Sequence, residues 1–383
     1  MKIEELSEKN VLKYVIISLL TLMLLTVAIV LSLNIDTVKN NLFDRQVKTL
    51  AIIPENEEGI LRVIFTGVST PLTPHIAQQS VVISVNNKNY IFDAGSRSTA
   101  NFISQGSLEA AFIEAVFITH THSDHIGSLG ELVLASWGRG RTSSLKVYGV
   151  GKELQNVVDG FNLAYQPDRE HRIAHHGEEF FNPEHGLLEA KLFEVINDET
   201  LVFEDKNIQV YAFNVPHGPI HGSVGYKIVS ADRTVVISGD TDIMDNYNFV
   251  NGVDVLIHEA IIEPISISVS QSAKRLGNKR IGAIFEDIND YHANLIDYEN
   301  NDGLLSRLKG IDIGMLALIH IIPDKDNIVV KRALKRFQSL SSHDVVIADE
   351  NMEIVRGENY EEPSASAKTS ILYRAVGGLG ACA

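Results

Sequence analysis

The longest apolar run lies near the amino end. Val11 to Leu33 reads VLKYVIISLLTLMLLTVAIVLSL, and the 20 residues from Tyr14 to Leu33 carry no charge, which is the length that crosses a bilayer core as a helix. A cleaved signal would have a shorter apolar core and a small-residue exit, whereas this run leads into Ser32-Leu33-Asn34-Ile35-Asp36, so an uncleaved anchor over residues 1–35 is expected, with a signal peptide as the alternative. Residues 36–59 are polar, with Pro54, Glu55, Glu57 and Glu58 at their end, and read as a helical or extended stalk running into a linker. The pattern then changes to short β-rich runs with Gly, Pro and Asn between them: LRVIFT from Leu61, SVVISV from Ser80 and YIF from Tyr90. Ala100 to Gln105 and Leu108 to Glu114 read as helices, and AVFI from Ala115 as a buried strand. Further runs are Ile208–Val215, Val224–Val229, Thr234–Ser238, Val253–Ile257 and Met315–Ile319. Strands alternating with helical stretches predict an α/β domain. Two polar stretches interrupt the alternation, Gly149–Thr200 and Glu263–Asn289. Each reads either as a cover over a substrate or as a solvated outer helix. Beyond residue 356 the chain turns to EEPSASAK and a Gly/Ala ending, and residues 357–383 read as a disordered tail.

Composition narrows the chemistry. Lys and Arg number 33 against 49 Asp and Glu in 383 residues, a net charge of −16. A surface built throughout for nucleic acid would need clustered cations instead. The single cysteine, Cys382, is next to last, which excludes an intramolecular disulfide and a thiolate metal site. Any metal must therefore sit on histidine and carboxylate.

Those ligands are concentrated in one phrase. Thr119 to His125 reads THTHSDH, so His120, His122, Asp124 and His125 lie within six residues, just after a buried strand. One histidine alone is more often packed or surface-exposed than a ligand, but imidazole and carboxylate together are a zinc donor set. Other apolar runs also end at ligand-type residues: His217, Asp240, His258 with Glu259, and His320. Side chains at the ends of neighbouring strands converge on one sheet edge, where a rigid scaffold holds charged groups around an ion. The stretch after Gly149 adds His171, Arg172, His175 and His176, which read as a lid or as a loop with incidental histidines.

THTHSDH, the later His217, SGDT around Asp240 and the distal His320 resemble the metallo-β-lactamase superfamily of dinuclear metallohydrolases. LIHEA at Leu256, YHAN at Tyr291 and ALIH at Ala317 are most similar to its ribonuclease Z branch, which includes arylsulfatase-like and phosphodiesterase members. The resemblance implies a four-layer αββα sandwich over residues 60–356. It assigns His120, His122 and His217 to one zinc and Asp124, His125 and His320 to the other, with Asp240 bridging. Manganese or iron remain alternatives to zinc. A hydroxide shared by the two ions is the implied nucleophile, with a pKa of about 7. His292 oriented by Glu259 is the implied proton donor to the leaving oxygen, with Asp124 in the catalytic set. Asp93 and His258 are expected to support the ligands from behind, and Gly95 in FDAG to let the backbone turn.

The expected activity is a ribonuclease Z-like hydrolysis of a phosphodiester or similar ester. An arylsulfatase, lactonase or thioesterase on the same fold is the alternative, and a non-catalytic, membrane-anchored metal protein is the weakest reading. A small anionic ester or a nucleotide is the expected substrate. Transfer RNA is disfavoured by the charge and by the lack of a Gly/Pro-rich basic arm. Lys2, Lys9 and Lys13 before the apolar run balance Lys39, Arg45 and Lys48 after it, so the positive-inside rule is tied. The short amino-terminal flank favours a single-pass anchor with the catalytic domain outside the cytoplasm. A homodimer stays open.

Overall fold

The computed structural model describes residues 8–32, 35–50, 58–105, 108–297 and 302–355. Two units separate, Met1–Ile53 and Pro54–Ala383. In the first, α1 (Glu8–Ser32) and α2 (Asp36–Leu50) are helical. Lys13–Ser32 is a 20-residue helical segment with mean hydropathy 2.8, long and apolar enough to cross a membrane as an anchor or to serve as a signal sequence. Most of the expected stalk is thus α2, with Asp36 in its first turn, where a negative charge favours the helix dipole. The expected tail lies outside the described residues.

The second unit opens with β1 (Arg62–Gly67), β2 (Ser80–Val85), β3 (Lys88–Phe92), α3 (Ser98–Ser104) and β4 (Ile113–Phe117). There follow α4 (Ser123–Ile126), α5 (Leu129–Gly138), β5 (Leu145–Val150), α6 (Gly151–Ala164), α7 (Gln166–His176), β6 (Leu188–Phe193) and β7 (Thr200–Glu204). Next come β8 (Ile208–Asn214), β9 (Val224–Ser230), β10 (Thr234–Ile237), β11 (Val253–Ile261), α8 (Glu263–Arg275) and α9 (Lys279–Asp287). The unit closes with α10 (Leu304–Arg307), β12 (Ile313–Ile322), α11 (Ile328–Leu340), β13 (Val345–Ile347) and β14 (Glu353–Ile354). One seven-stranded sheet runs β14-β1-β2-β3-β4-β5-β6 and a second β13-β12-β11-β10-β9-β8-β7.

The near-continuous apolar runs follow from burial on both faces. In β1, Val63 and Phe65 point between the sheets and meet Tyr226, Ile257 and Ile319 of the other sheet. The intervening Ile64 points outward and packs with Phe102, Trp137 and Leu154 under the helices of its own side. The second sheet does the same, with Leu256, Leu316 and Leu318 packed outward near Leu334 and Phe337 of α11. The result is helix, sheet, sheet, helix, the expected αββα order. β3 to β6 pair in parallel, as do β10 to β13, so several strands in each sheet end at a common edge.

One local expectation differs. Leu108–Glu114 is no helix: only Ala110–Phe112 makes a single 3₁₀ turn, capped by the Glu109 side chain, and Ile113 and Glu114 already belong to β4. Ile113 is buried within the outer core of that sheet, so packing overrides helical propensity there. The stretch Gly149–Thr200 supplies α6, α7, the 3₁₀ turn Pro183–Gly186 and the edge strand β6, α7 being largely exposed as the outer-helix reading expects.

Phe117 is fully buried, stacked on Phe92 at 4.8 Å and edge-on to Tyr226 at 5.7 Å. Phe117→Ala should cost about 3–5 kcal/mol of stability, as large core truncations do. Chemical unfolding of the detergent-solubilised chain measures it, and a loss under about 1 kcal/mol would contradict the two-sheet core as described.

Candidate metal centre

The site grows from the end of β4. Ile118 still pairs with its neighbours, donating to Tyr148 O at 2.8 Å and accepting from Tyr226 Oη at 2.7 Å. Beyond it the chain leaves the sheet as THTHSDH and re-enters order in α4, which carries Asp124 and His125. His120 Nε2 faces His122 Nδ1 at 2.9 Å, and the His217 ring, beyond the end of β8, stands 4.9 Å from His120 and 5.4 Å from His122. Donor atoms of His120, His122, His217 and Asp240 all lie within 4.8 Å of one another. Those of Asp124, His125, Asp240 and His320 do the same. Asp240 belongs to both groups: its Oδ2 is 3.3 Å from His125 Nε2, 3.4 Å from His320 Nε2 and 4.0 Å from His120 Nε2.

This donor set suits divalent cations. His122 is exposed, while the other six are buried. His217 Nε2 is buried without a hydrogen-bond partner, an arrangement a fold tolerates poorly unless something completes it. Burial strips His120 and His217 of their protons, holding His217 down at about 4, so both present neutral imidazole lone pairs. Burial pushes His125 and His320 the same way but is outweighed by carboxylates, Asp240 foremost, which raise both. The buried acids thus draw positive charge to the space between the two groups, and a divalent ion would supply it without protonating ligands.

Surrounding groups aim these donors. Asp93 Oδ2 accepts from His125 Nδ1 at 2.8 Å, turning Nε2 inward, and Asp93 Oδ1 accepts from the Thr119 backbone N–H at 2.8 Å. The Thr119 hydroxyl lies 2.9 Å from Asp93 Oδ2, 3.2 Å from His120 Nδ1 and 3.3 Å from His125 Nδ1. It is a hub that sequence reasoning passed over, although it opens the motif. In FDAG the left-handed residue is Asp93 itself, at φ 61°. Gly95 is required by space instead: a Cβ there would sit 2.1 Å from the Asp124 carbonyl. His217 Nδ1 is fixed by Tyr291 O at 3.1 Å. His320 occupies a bulge, because Glu259 pairs with Ile319 and Ala260 with Ile321, leaving His320 over at φ 46°. Bulges re-aim side chains, and this one turns His320 toward Asp124, at 3.1 Å.

The apolar run into HEA does not stop at His258. β11 continues to Ile261, and alternation sends the two neighbours to opposite faces. Glu259 faces the site, where its Oε1 accepts from His292 Nδ1 at 2.8 Å and from the Thr241 N–H at 2.7 Å. Glu259, His292 and His320 form a third close group. Burial disfavours charge on His292, yet Glu259 with Asp240 and Asp124 overcomes it and lifts the imidazole to about 9. His258 faces the outer helical layer, its Nε2 3.0 Å from Tyr247 Oη and its Nδ1 2.7 Å from the Glu259 carbonyl. It reaches the site only through the Glu259 backbone, and burial holds it at about 4. His171, Arg172, His175 and His176 stand on α7, where Arg172 pairs with Asp168 at 2.6 Å, and none joins the three groups.

The model of a family described as the metallo-beta-lactamase superfamily matches residues 74–282, more than half of the chain. A ribonuclease Z of Mycobacterium bovis is 24% identical over 271 residues, 69% of this chain and 87% of that protein. In fold, the chain is similar to the metallo-beta-lactamase fold protein YhfI of Bacillus subtilis, with TM-score 0.50 and 16% identity over 77% of this chain and 99% of that one. It is also similar to Zn(2+)-bound PqqB of Methylobacterium extorquens, with TM-score 0.52 and 14% identity over 76% and 99%.

If Asp93 orients His125, then Asp93→Asn should weaken zinc binding about 10–100-fold, the usual effect of losing a partner behind a ligand. Competition against a chromophoric chelator reads this directly, and an unchanged affinity would remove Asp93 from the supporting role.

Proposed function

The chain belongs to the metallo-β-lactamase superfamily, and on that premise we propose that it is a membrane-anchored, dinuclear zinc hydrolase of a phosphodiester or similar ester. The observation that carries the reading is Asp240, whose single Oδ2 lies within 4.0 Å of imidazole nitrogens from both ligand groups. One carboxylate shared in this way suits a pair of ions. His120, His122 and His217 would hold one zinc, Asp124, His125 and His320 the other, and Asp240 both. When bound, such a pair supplies Lewis-acid polarisation of the ester and makes hydroxide available at neutral pH.

The protein groups then divide the work. His122 is the exposed member of the ligand set, so an ester reaches the site from its side. Asp124, hydrogen-bonded to His320, accepts from the attacking water and orients it. His292, protonated at neutral pH and held by Glu259, gives its Nε2 proton to the leaving oxygen as the phosphorus–oxygen bond breaks. Thr241 N–H on the same Glu259 oxygen keeps the carboxylate in register with the ring. Phosphodiester is preferred over sulfate ester or lactone because the relatives named ribonuclease Z match this chain over 69% of its length and 87% of theirs. Transfer RNA is disfavoured by the charge of −16, and a small anionic ester or nucleotide is the better fit. In localisation, α1 fits an uncleaved single-pass anchor, with the catalytic unit outside the cytoplasm.

The zinc-loaded chain should hydrolyse bis(p-nitrophenyl) phosphate, and His120→Ala should abolish turnover. His292→Ala should lower kcat by about 10²–10⁴ on esters with poor leaving groups and much less on p-nitrophenyl esters, since a good leaving group needs no proton. A folded, zinc-loaded protein that leaves phosphodiesters intact but cleaves sulfate esters or lactones would overturn the substrate class. Equal losses on good and poor leaving groups would remove His292 as the acid.

A further inference from the structure

The polar stretch between β11 and His292 has a shape that the proposed chemistry leaves unused. α8 and α9 form an antiparallel hairpin, tied by Ser266 Oγ to Phe285 O at 2.9 Å and Ser270 Oγ to Gly282 O at 2.6 Å. It is seated by Phe285, clustered with Ile261 and Ile322, with Val269 and Ile281 packed against them and Ile265 against the outer core of the same sheet. Ile261 and Ile322 end β11 and β12, the edge that carries Glu259 and His320. α8 has 13 residues, so the hairpin apex lies roughly 20 Å along the helix from that edge. At the turn Gly277 takes φ 85°, and the Asn278 side chain caps α9 by accepting from Ile281 N.

The apex differs in composition from the rest of an acidic protein. From Gln271 to Arg280 there are four cations, Lys274, Arg275, Lys279 and Arg280, and no acid. Lys274 is paired with Glu286 and Arg275 bonds Ser272, while Lys279 and Arg280 are exposed. Between the two pairs sits Leu276, 83% exposed, the highest value among the large apolar side chains of the described residues. A nucleic-acid grip gains little from an apical leucine and normally brings aromatic rings for base stacking, of which this turn has none. A bilayer surface uses both features, with the apolar side chain entering the boundary below the headgroups and the cations meeting lipid phosphates.

We propose that the α8–α9 apex docks on a bilayer surface carrying anionic phospholipids, through Leu276 and the cations around it. The proposal rests on the reading of α1 as an anchor that keeps the protein at a membrane, and is independent of the ester it cleaves. Docking would set the site edge roughly one hairpin length, about 20 Å, from the bilayer surface and fix its orientation to it.

The test uses the full chain with Cys382→Ser and Leu276→Cys, labelled at residue 276 with an environment-sensitive fluorophore and reconstituted in nanodiscs. In phosphatidylcholine–phosphatidylglycerol discs the emission should shift to the blue and iodide quenching should fall several-fold. Both changes should be absent in phosphatidylcholine discs, reversed by high salt, and lost in Lys279→Gln/Arg280→Gln. Equal water exposure in the two discs would overturn docking, as would a shift seen only on adding single-stranded RNA, which would assign the apex to nucleic acid. A chain that does not co-elute with discs would refute the anchor. The same label read on added liposomes of the two compositions then decides docking by the same criterion.

Discussion

Four buried carboxylates, Asp93, Asp124, Asp240 and Glu259, share one end of the two-sheet sandwich with His120, His125, His217, His292 and His320. Removing that much charge from water is tolerated only where each charge is paired and hydrogen-bonded. The rest of the second unit can be understood as the means of doing so. Asp93 is satisfied by Thr119 and His125, Asp124 by His320, and Asp240 lies among imidazoles from both sides. Among these groups His217 Nε2, His320 Nδ1 and Glu259 Oε2 are left without a partner, and bound cations would complete the pairing.

The sandwich makes this placement rigid. Parallel strands in each sheet end together, and the apolar layer between the sheets holds those ends in fixed relation. Local departures from regular structure then set the final aim. The bulge at His320 and the left-handed backbone at Asp93 are both non-glycine residues at positive φ, conformations that cost energy and persist where surrounding structure over-determines them. The tight approach of Gly95 to the Asp124 carbonyl brings the loop carrying Asp93 against α4, which carries the next ligands.

Much of this was legible in the chain because the central strands are covered on both faces, so that runs such as SVVISV stand out without needing alternation. The ligand-type residues were visible at or near the ends of those runs. What remained hidden depended on distant partners. Nothing local shows that β12 carries an extra residue at His320, since the bulge exists only relative to β11. The separation of His258 from Glu259 follows from strand alternation, but only once β11 is known to continue through HEA. Leu108–Glu114 looked helical because its periodicity fits a helix as well as a buried turn and strand. Thr119 and Thr241 bond to site residues through atoms every threonine has, and only proximity singles them out.

The proposed function depends most on Asp240 standing between two cation sites. Anomalous diffraction at the zinc edge from crystals grown with zinc tests it most directly. Two peaks roughly 3.5–4 Å apart, the spacing of two-metal hydrolytic centres, should flank Asp240, one beside His120, His122 and His217 and the other beside Asp124, His125 and His320. A single peak, or two peaks without Asp240 between them, would contradict the account.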